Sequence, residues 1–235
     1  MVFTGGSEDA QRGSRELTNG VHAGPGAQGA SEGRMAEAPQ NGVGSPYFQG
    51  GRINSFALVS YIPEPLAGFL DNLRRELVPS CFLHAHVTVL PPRPLRVSPA
   101  VSWDAICSAA KNFKPFDLEL GEIEIFPVSD VIFVGVRAGL ESLKVMHDAL
   151  NRDGLLYGEP FPYHPHVTVA QSLQPDQLDE FYEIARRRWR EYREARGFRV
   201  ERVTFVQNTR RDVWLDLGEC GLGTREVHRM EPLLA

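Results

Sequence analysis

Two stretches of this chain repeat one pattern, HAHVTVL at residues 84 to 90 and HPHVTVA at residues 164 to 170. Alternate side chains of a β-strand share a face, so His84, His86 and Thr88 point one way while Val87 and Val89 point the other. The second copy sets His164, His166 and Thr168 against Val167 and Val169 in the same manner. Each copy asks for a strand with one core face and one polar face, and the fold has to provide it twice.

The segments before the two copies also match. INSFALVSYI is apolar and β-branched, as a strand is. PEPLAGFLDNLRREL follows, with Pro65 near a helix start and Leu66, Phe69, Leu70, Leu73 and Leu77 at helical spacing. Further on, DVIFVGVRAG reads as a strand and LESLKVMHDALNRDGL as a helix before HPHVTVA. The unit strand, helix, histidine strand thus occurs twice.

Between the units, VSWDAICSAAKNF reads as a helix and PFDLELGEIEIFPV as a long strand or strand pair. A helix is expected from QPDQLDEFYEI to about Arg196, with Leu178, Phe181, Ala185, Trp189 and Tyr192 as its apolar stripe. RVERVTFVQNTRRDVWLDLGE then gives two strands with a hairpin around NTRRD. The expected fold class is α+β, two-lobed and internally duplicated, with mostly antiparallel sheets flanking a central cleft and helices packed outside. Residues 1 to 51 are rich in Gly, Ala, Ser, Gln and Asn and are expected to form a disordered low-complexity tail, leaving residues 52 to 235 as the duplicated domain.

A net charge of −5 with 23% charged residues argues against a chain that grips long nucleic acid through bulk charge. The basic run from Arg186 to Arg196 is interleaved with Glu191 and Glu194, and reads as a solvated helix face. The three cysteines are scattered and lack paired spacing, which favours a reducing cytoplasm over a disulfide framework. No apolar run approaches the roughly 20 residues of a membrane span, and no export signal is read. A monomer without an obligate protein partner is expected.

With two such strands face to face, His86 and Thr88 meet His166 and Thr168 across a groove. Two imidazoles flanking one site suit in-line displacement at phosphorus, one taking a proton from the attacking oxygen and the other giving one to the leaving oxygen. The threonine hydroxyls are placed to donate to phosphate oxygens as charge develops. That chemistry calls for no metal and no cofactor.

The duplicated H-x-T-x, each on a strand after a strand and a helix, resembles the 2H phosphoesterase superfamily over roughly residues 54 to 217, and most of all its bacterial 2'-5' RNA ligase and RNA 2',3'-cyclic phosphodiesterase branch. The resemblance implies hydrolysis of a 2',3'-cyclic phosphate, on an RNA end or a small cyclic nucleotide, to a 2'-phosphate, with 2'-5' RNA ligation as the reverse of a related step. It also implies His86 as proton donor, His166 as acceptor, and Thr88 and Thr168 as phosphate ligands. Related enzymes often carry an arginine shortly after the second motif, where this chain has Gln171; Arg93, after the first motif, is the expected substitute. Tyr163 is a candidate to stack on a base.

Two rival readings accompany this one. His84 and His164 complete two H-x-H pairs, the raw material of a metallohydrolase, although no Asp or Glu lies in either histidine strand. A non-catalytic module that binds a nucleotide or RNA end would also keep the groove. His84 and His164 are otherwise read as supporting residues, and His147 as a surface residue.

Overall fold

The computed structural model describes residues 48–49, 52–210 and 213–229. The described residues open with the two-residue strands β1 (Phe48–Gln49) and β2 (Arg52–Ile53), which pair antiparallel. The rest of the expected tail lies outside the described residues.

The first unit is β3 (Phe56–Tyr61), α1 (Leu66–Leu77) and β4 (His86–Arg93). After α2 (Pro99–Ala110) and the long strand β5 (Phe116–Ile125) comes the second unit, β6 (Ile132–Ala138), α3 (Leu140–Leu150), a single 3-10 turn (Asp153–Leu155) and β7 (His166–Ala170). There follow α4 (Leu178–Glu191), β8 (Gly197–Val200), β9 (Arg202–Arg210), β10 (Val213–Gly221) and β11 (Val227–Arg229).

These strands form two antiparallel sheets, one ordered β11-β10-β9-β3-β4 and the other β7-β6-β5-β8. The duplication extends to register: His86 lies opposite Tyr61 and Thr88 opposite Val59, as His166 lies opposite Gly135 and Thr168 opposite Phe133. Both histidine strands are sheet edges, and they lie alongside each other. α1 packs against β7 and α3 against β4, so each unit's helix supports the other unit's histidine strand.

Alternation explains how one chain makes both core and cleft. On β3, Phe56 and Leu58 enter the main core while Ala57 and Val59 join Val206, Tyr61 and Trp214 in a separate apolar cluster. Val87, Val89, Val167 and Val169 are buried in the main core, at roughly 1.5–3 kcal/mol for each large aliphatic side chain fully buried. The passage from β6 into α3 depends on Gly139, whose φ is 87° and whose Cβ, if present, would lie 2.6 Å from the Asp117 carbonyl oxygen.

Three expectations need correction. The last helix stops at Glu191, and Tyr192 is already extended, yet it continues the apolar stripe by packing on Phe69 at 4.4 Å. The segment after it is three strands where two were expected: β9 and β10 pair antiparallel as the expected hairpin does, but the first residues form β8, which pairs with β5 in the other sheet, while β9, beginning only two residues later, pairs with β3. His147 is buried, 6% exposed, and is not a surface residue. The reading of the arginine run as a solvated face agrees with Arg186 bonding Glu183 and Arg188 bonding Glu76. No helix among the described residues is long and apolar enough to cross a membrane.

Candidate active site

A cleft of about 770 Å³ is lined by both histidine strands, with His84, His86, Thr88, His164, His166 and Thr168 all on its wall. The strands reach it in the same way. Over residues 83 to 90 and 163 to 170 the burial sequence is identical, with His84 and His164 exposed, His86 and His166 half-buried and the valines fully buried.

His86 Nδ1 lies 2.7 Å from the His84 carbonyl oxygen, and His166 Nδ1 lies 2.7 Å from the His164 carbonyl oxygen. A carbonyl can only accept, so each Nδ1 carries a hydrogen and donates it. In the neutral ring Nε2 is then the free base, and in the charged ring Nε2–H is the acid. One tautomer is therefore imposed on both histidines by the residue two positions earlier, through its main chain. This is the part played by positions 84 and 164, and it does not use their imidazoles.

The rings stand in different surroundings. Tyr61 meets His86 edge-on at 6.3 Å and donates its hydroxyl to Asp216 at 2.6 Å. Burial together with the Asp216 carboxylate raises the Tyr61 phenol well above its ordinary range, so it stays neutral. Phe126 and Phe133 flank His166 at 4.9 and 5.3 Å.

Burial pushes His86 down to about 4; its bond to the His84 carbonyl and the Asp71 carboxylate pull upward, while Arg74 and His166 push further down. His166 is also lowered, by burial and by His164, against the upward pull of its carbonyl bond.

Arg93 does not face the cleft. It is 2% exposed, and its guanidinium donates to the Pro91 and Leu155 carbonyls, to Asn151 and to Glu159. The same Glu159 oxygen meets His147 Nε2 at 2.9 Å, His147 stacks on Tyr163 at 4.0 Å, and the Tyr163 hydroxyl donates to the Thr88 carbonyl at 2.8 Å. The arginine expected to hold phosphate thus belongs to a buried network that ties the loop before β7 to β4. Tyr163 lines the cleft with its hydroxyl committed to that tie, and burial raises its phenol far above the ordinary range.

Arg74 is the residue that sequence reasoning missed. It is 3% exposed, lines the cleft, and is the one Arg or Lys among the described lining residues. Its spacing on α1 beside Leu73 and Leu77 gave one signal, since an arginine next to the apolar stripe is poorly placed to reach solvent. Gln171, where related enzymes often have an arginine, also lines the cleft. Among the described residues no group of three or more His, Cys, Asp or Glu side chains converges as metal ligands.

Comparison with known proteins agrees with this architecture. The family model described as the 2'-5' RNA ligase superfamily matches residues 62–212. A provisionally named phosphoesterase of Halalkalibacterium halodurans is 25% identical over 129 residues, which is 54% of this chain and 75% of the relative. The crystal structure of E. coli LigT complexed with 3'-AMP superposes with a TM-score of 0.51 at 16% identity, covering 72% of this chain and 98% of LigT. A structure described as a phosphoesterase gives a TM-score of 0.51 at 15% identity over 72% of this chain and 98% of its own. The matched region holds both histidine strands and most of the residues that line the cleft between them, and this chain belongs to the 2'-5' RNA ligase superfamily of 2H phosphoesterases.

Proposed function

We propose that the chain hydrolyses a nucleoside 2',3'-cyclic phosphate, as a free nucleotide or at an RNA end, to the 2'-phosphate without a metal ion. The observation that carries this reading is the pair of matching Nδ1–H···O=C bonds, which leave both Nε2 atoms on one cleft. A water oxygen bonds to phosphorus as one Nε2 takes its proton, the bond from phosphorus to the 3' oxygen breaks, and the other Nε2–H protonates that oxygen. Thr88 and Thr168 donate to the non-bridging oxygens where charge builds.

The apolar cluster of Ala57, Val59, Tyr61, Val206 and Trp214 lines the cleft and offers a seat for a base, with Tyr61 and Trp214 as stacking surfaces. One cation among the described lining residues suits a ligand with one phosphodiester more than a strand with many. The nucleoside monophosphate held by E. coli LigT is of that size class. Ligation of 2'-5' ends, the reverse of a related transesterification, would use the same groups. The reading takes the chain as a cytoplasmic monomer, consistent with the free thiols Cys81, Cys107 and Cys220.

The test is incubation of the purified full chain with nucleoside 2',3'-cyclic phosphates, with product position read by phosphorus NMR. A 2'-phosphate formed at the same rate in excess EDTA is expected. Activity lost to EDTA and restored by zinc or manganese would transfer the four histidines to a metallohydrolase, and binding without turnover would leave a recognition module.

A further inference from the structure

The two histidine strands belong to different sheets. β4 is the edge of one and β7 the edge of the other, and although they lie alongside each other no ladder of main-chain hydrogen bonds joins them among the described residues. Their separation is left to the packing of Val87, Val89, Val167 and Val169, which has no preferred direction, and to polar contacts that cross from one lobe to the other. For paired histidines that separation matters, because groups misplaced by about 1 Å lose on the order of 10²-fold in rate.

A side-chain bond crosses at this level. The Tyr163 hydroxyl, three residues before His166, donates to the carbonyl of Thr88, two residues after His86, at 2.8 Å. The tyrosine is aimed from behind: its ring stacks on His147 of α3 at 4.0 Å with the planes 8° apart, and His147 Nε2 meets Glu159 Oε1 at 2.9 Å. Arg93, at the end of β4, donates to the same Glu159 oxygen. The support therefore starts on β4, passes through Glu159 and His147, and returns to β4 through the Tyr163 hydroxyl. Burial keeps that phenol protonated, so it remains a donor.

The duplication shows that a histidine strand does not need this bond for its own sake. Burial runs identically over residues 83 to 90 and 163 to 170, yet the counterpart of Tyr163 is Leu83, which has no hydroxyl. The bridge is built from the second lobe alone. Base stacking accounts for it poorly, since one face of the Tyr163 ring is already taken by His147.

Resting on the phosphodiesterase reading, we infer that Tyr163 is a positioning residue whose hydroxyl sets the spacing of the two histidine strands, so that both imidazoles and both threonine hydroxyls reach one phosphate. It acts through the Thr88 main chain and touches no reacting atom.

Two measurements on the full chain test it. The first is steady-state hydrolysis of a nucleoside 2',3'-cyclic phosphate, with each variant shown to be folded by circular dichroism. Tyr163→Phe keeps the ring on His147 and removes only the hydroxyl, and Tyr163→Leu installs the residue of the first motif. Turnover of Tyr163→Phe is expected to fall by about 10- to 10²-fold with KM within about twofold of wild type, and that of Tyr163→Leu to fall at least as far. Wild-type turnover in Tyr163→Phe would overturn the inference, and a KM raised only in Tyr163→Leu would return the ring to stacking on the substrate.

The second measurement needs no turnover. Inorganic phosphate is titrated into the protein while the ring protons of His86 and His166 are followed by NMR. In the wild type both rings respond to one phosphate with a common Kd; in Tyr163→Phe one ring keeps its response and the other loses most of it. Rings that still respond together in Tyr163→Phe, or that fail to respond together in the wild type, would overturn the inference. If the wild type hydrolyses no cyclic phosphate, the phosphodiesterase reading fails, while the phosphate titration still decides whether Tyr163 holds the two rings on one anion.

Discussion

In the first lobe His86 faces Tyr61 across the sheet and has Arg74 and Asp71 behind it; in the second, His166 faces Gly135 and has Phe126 and Phe133 against its ring. The hydrogen bonds that orient the two rings are nonetheless the same length and run to the same relative position. Orientation is thus a property of the duplicated main chain, and burial lowers both rings, whereas the charged neighbours that act alongside it, Arg74 and Asp71 at His86 and His164 at His166, are not duplicated. A symmetric scaffold can in this way orient two rings alike and still give them different surroundings.

The strongest way to break the comparison is to remove one ring at a time. His86→Ala and His166→Ala are each expected to lower turnover by about 10²- to 10⁴-fold, the scale of positioned acid or base catalysis, with little change in substrate binding. Steady-state kinetics at saturating substrate, with folding followed by circular dichroism, decide the matter. If only one of the two is essential, the lobes are not partners in one reaction.

The segments after the motifs diverge more sharply. Arg93 turns inward to Glu159 after the first motif, while Gln171 lines the cleft after the second. Removing one member of a buried ion pair leaves the other uncompensated, at about 3–5 kcal/mol. Arg93→Met should cost stability on that scale in denaturant unfolding and reach the cleft only through Tyr163. Unchanged stability with weakened phosphate binding would return Arg93 to the substrate.

Thr88→Val and Thr168→Val keep each strand and delete one donor. Each is expected to slow turnover by roughly 10- to 10²-fold, since a hydrogen bond to a charged group contributes about 1.5–3 kcal/mol. Equal losses would say that the lobes share the phosphate evenly, and a silent threonine would place the phosphate in one lobe.

The duplicated strands were legible because period-two alternation with valines admits one local structure, and the paired motif marked His86, His166, Thr88 and Thr168 as a group lining one cleft. What could not be read is long-range and lateral. Arg93 and Arg74 lie in segments that look equally able to reach a phosphate, and only packing sends one to Glu159 and the other to the cleft wall. His147 looked superficial because a single histidine on an amphipathic helix does not reveal that Tyr163, 16 residues on in sequence, will stack against it. The switch of sheets between β8 and β9 has no local mark beyond Glu201, the one residue between the two strands.

pH separates the lobes through stability as well. An unfolded histidine titrates near 6.5, and folded His86 is held at about 4, chiefly by burial. Between those values the unfolded chain binds the proton and the folded chain does not, so the folded state loses stability as pH falls from about 6.5 toward 4. His86→Ala removes this contribution and should flatten the acid-side fall in Tm. A Tm profile that falls as steeply in the variant would mean that His86 titrates alike in both states.

The smallest effects are expected at the two remaining histidines, and there the comparison is sharpest. His84 and His164 hold the His86 and His166 rings through carbonyl oxygens that any residue supplies, and their imidazoles are exposed, His84 by 79% of its side chain. His84→Ala and His164→Ala keep both carbonyls, so activity should stay within about twofold, matching the roughly 0.5 kcal/mol typical of surface substitutions. The two differ in one respect: His84 leans on Asp71, which also holds the Ala85 N–H, whereas the His164 ring meets the edges of Phe126 and Phe133 and the neighbouring His166 ring. Any measurable loss should therefore fall on the His84 side, as a small displacement of the His86 limb of the pH profile. Losses as deep as those of His86→Ala at both positions would mean that the exposed imidazoles bind something the reaction requires, and a four-histidine metal centre would then account for the site better than paired acid–base catalysis.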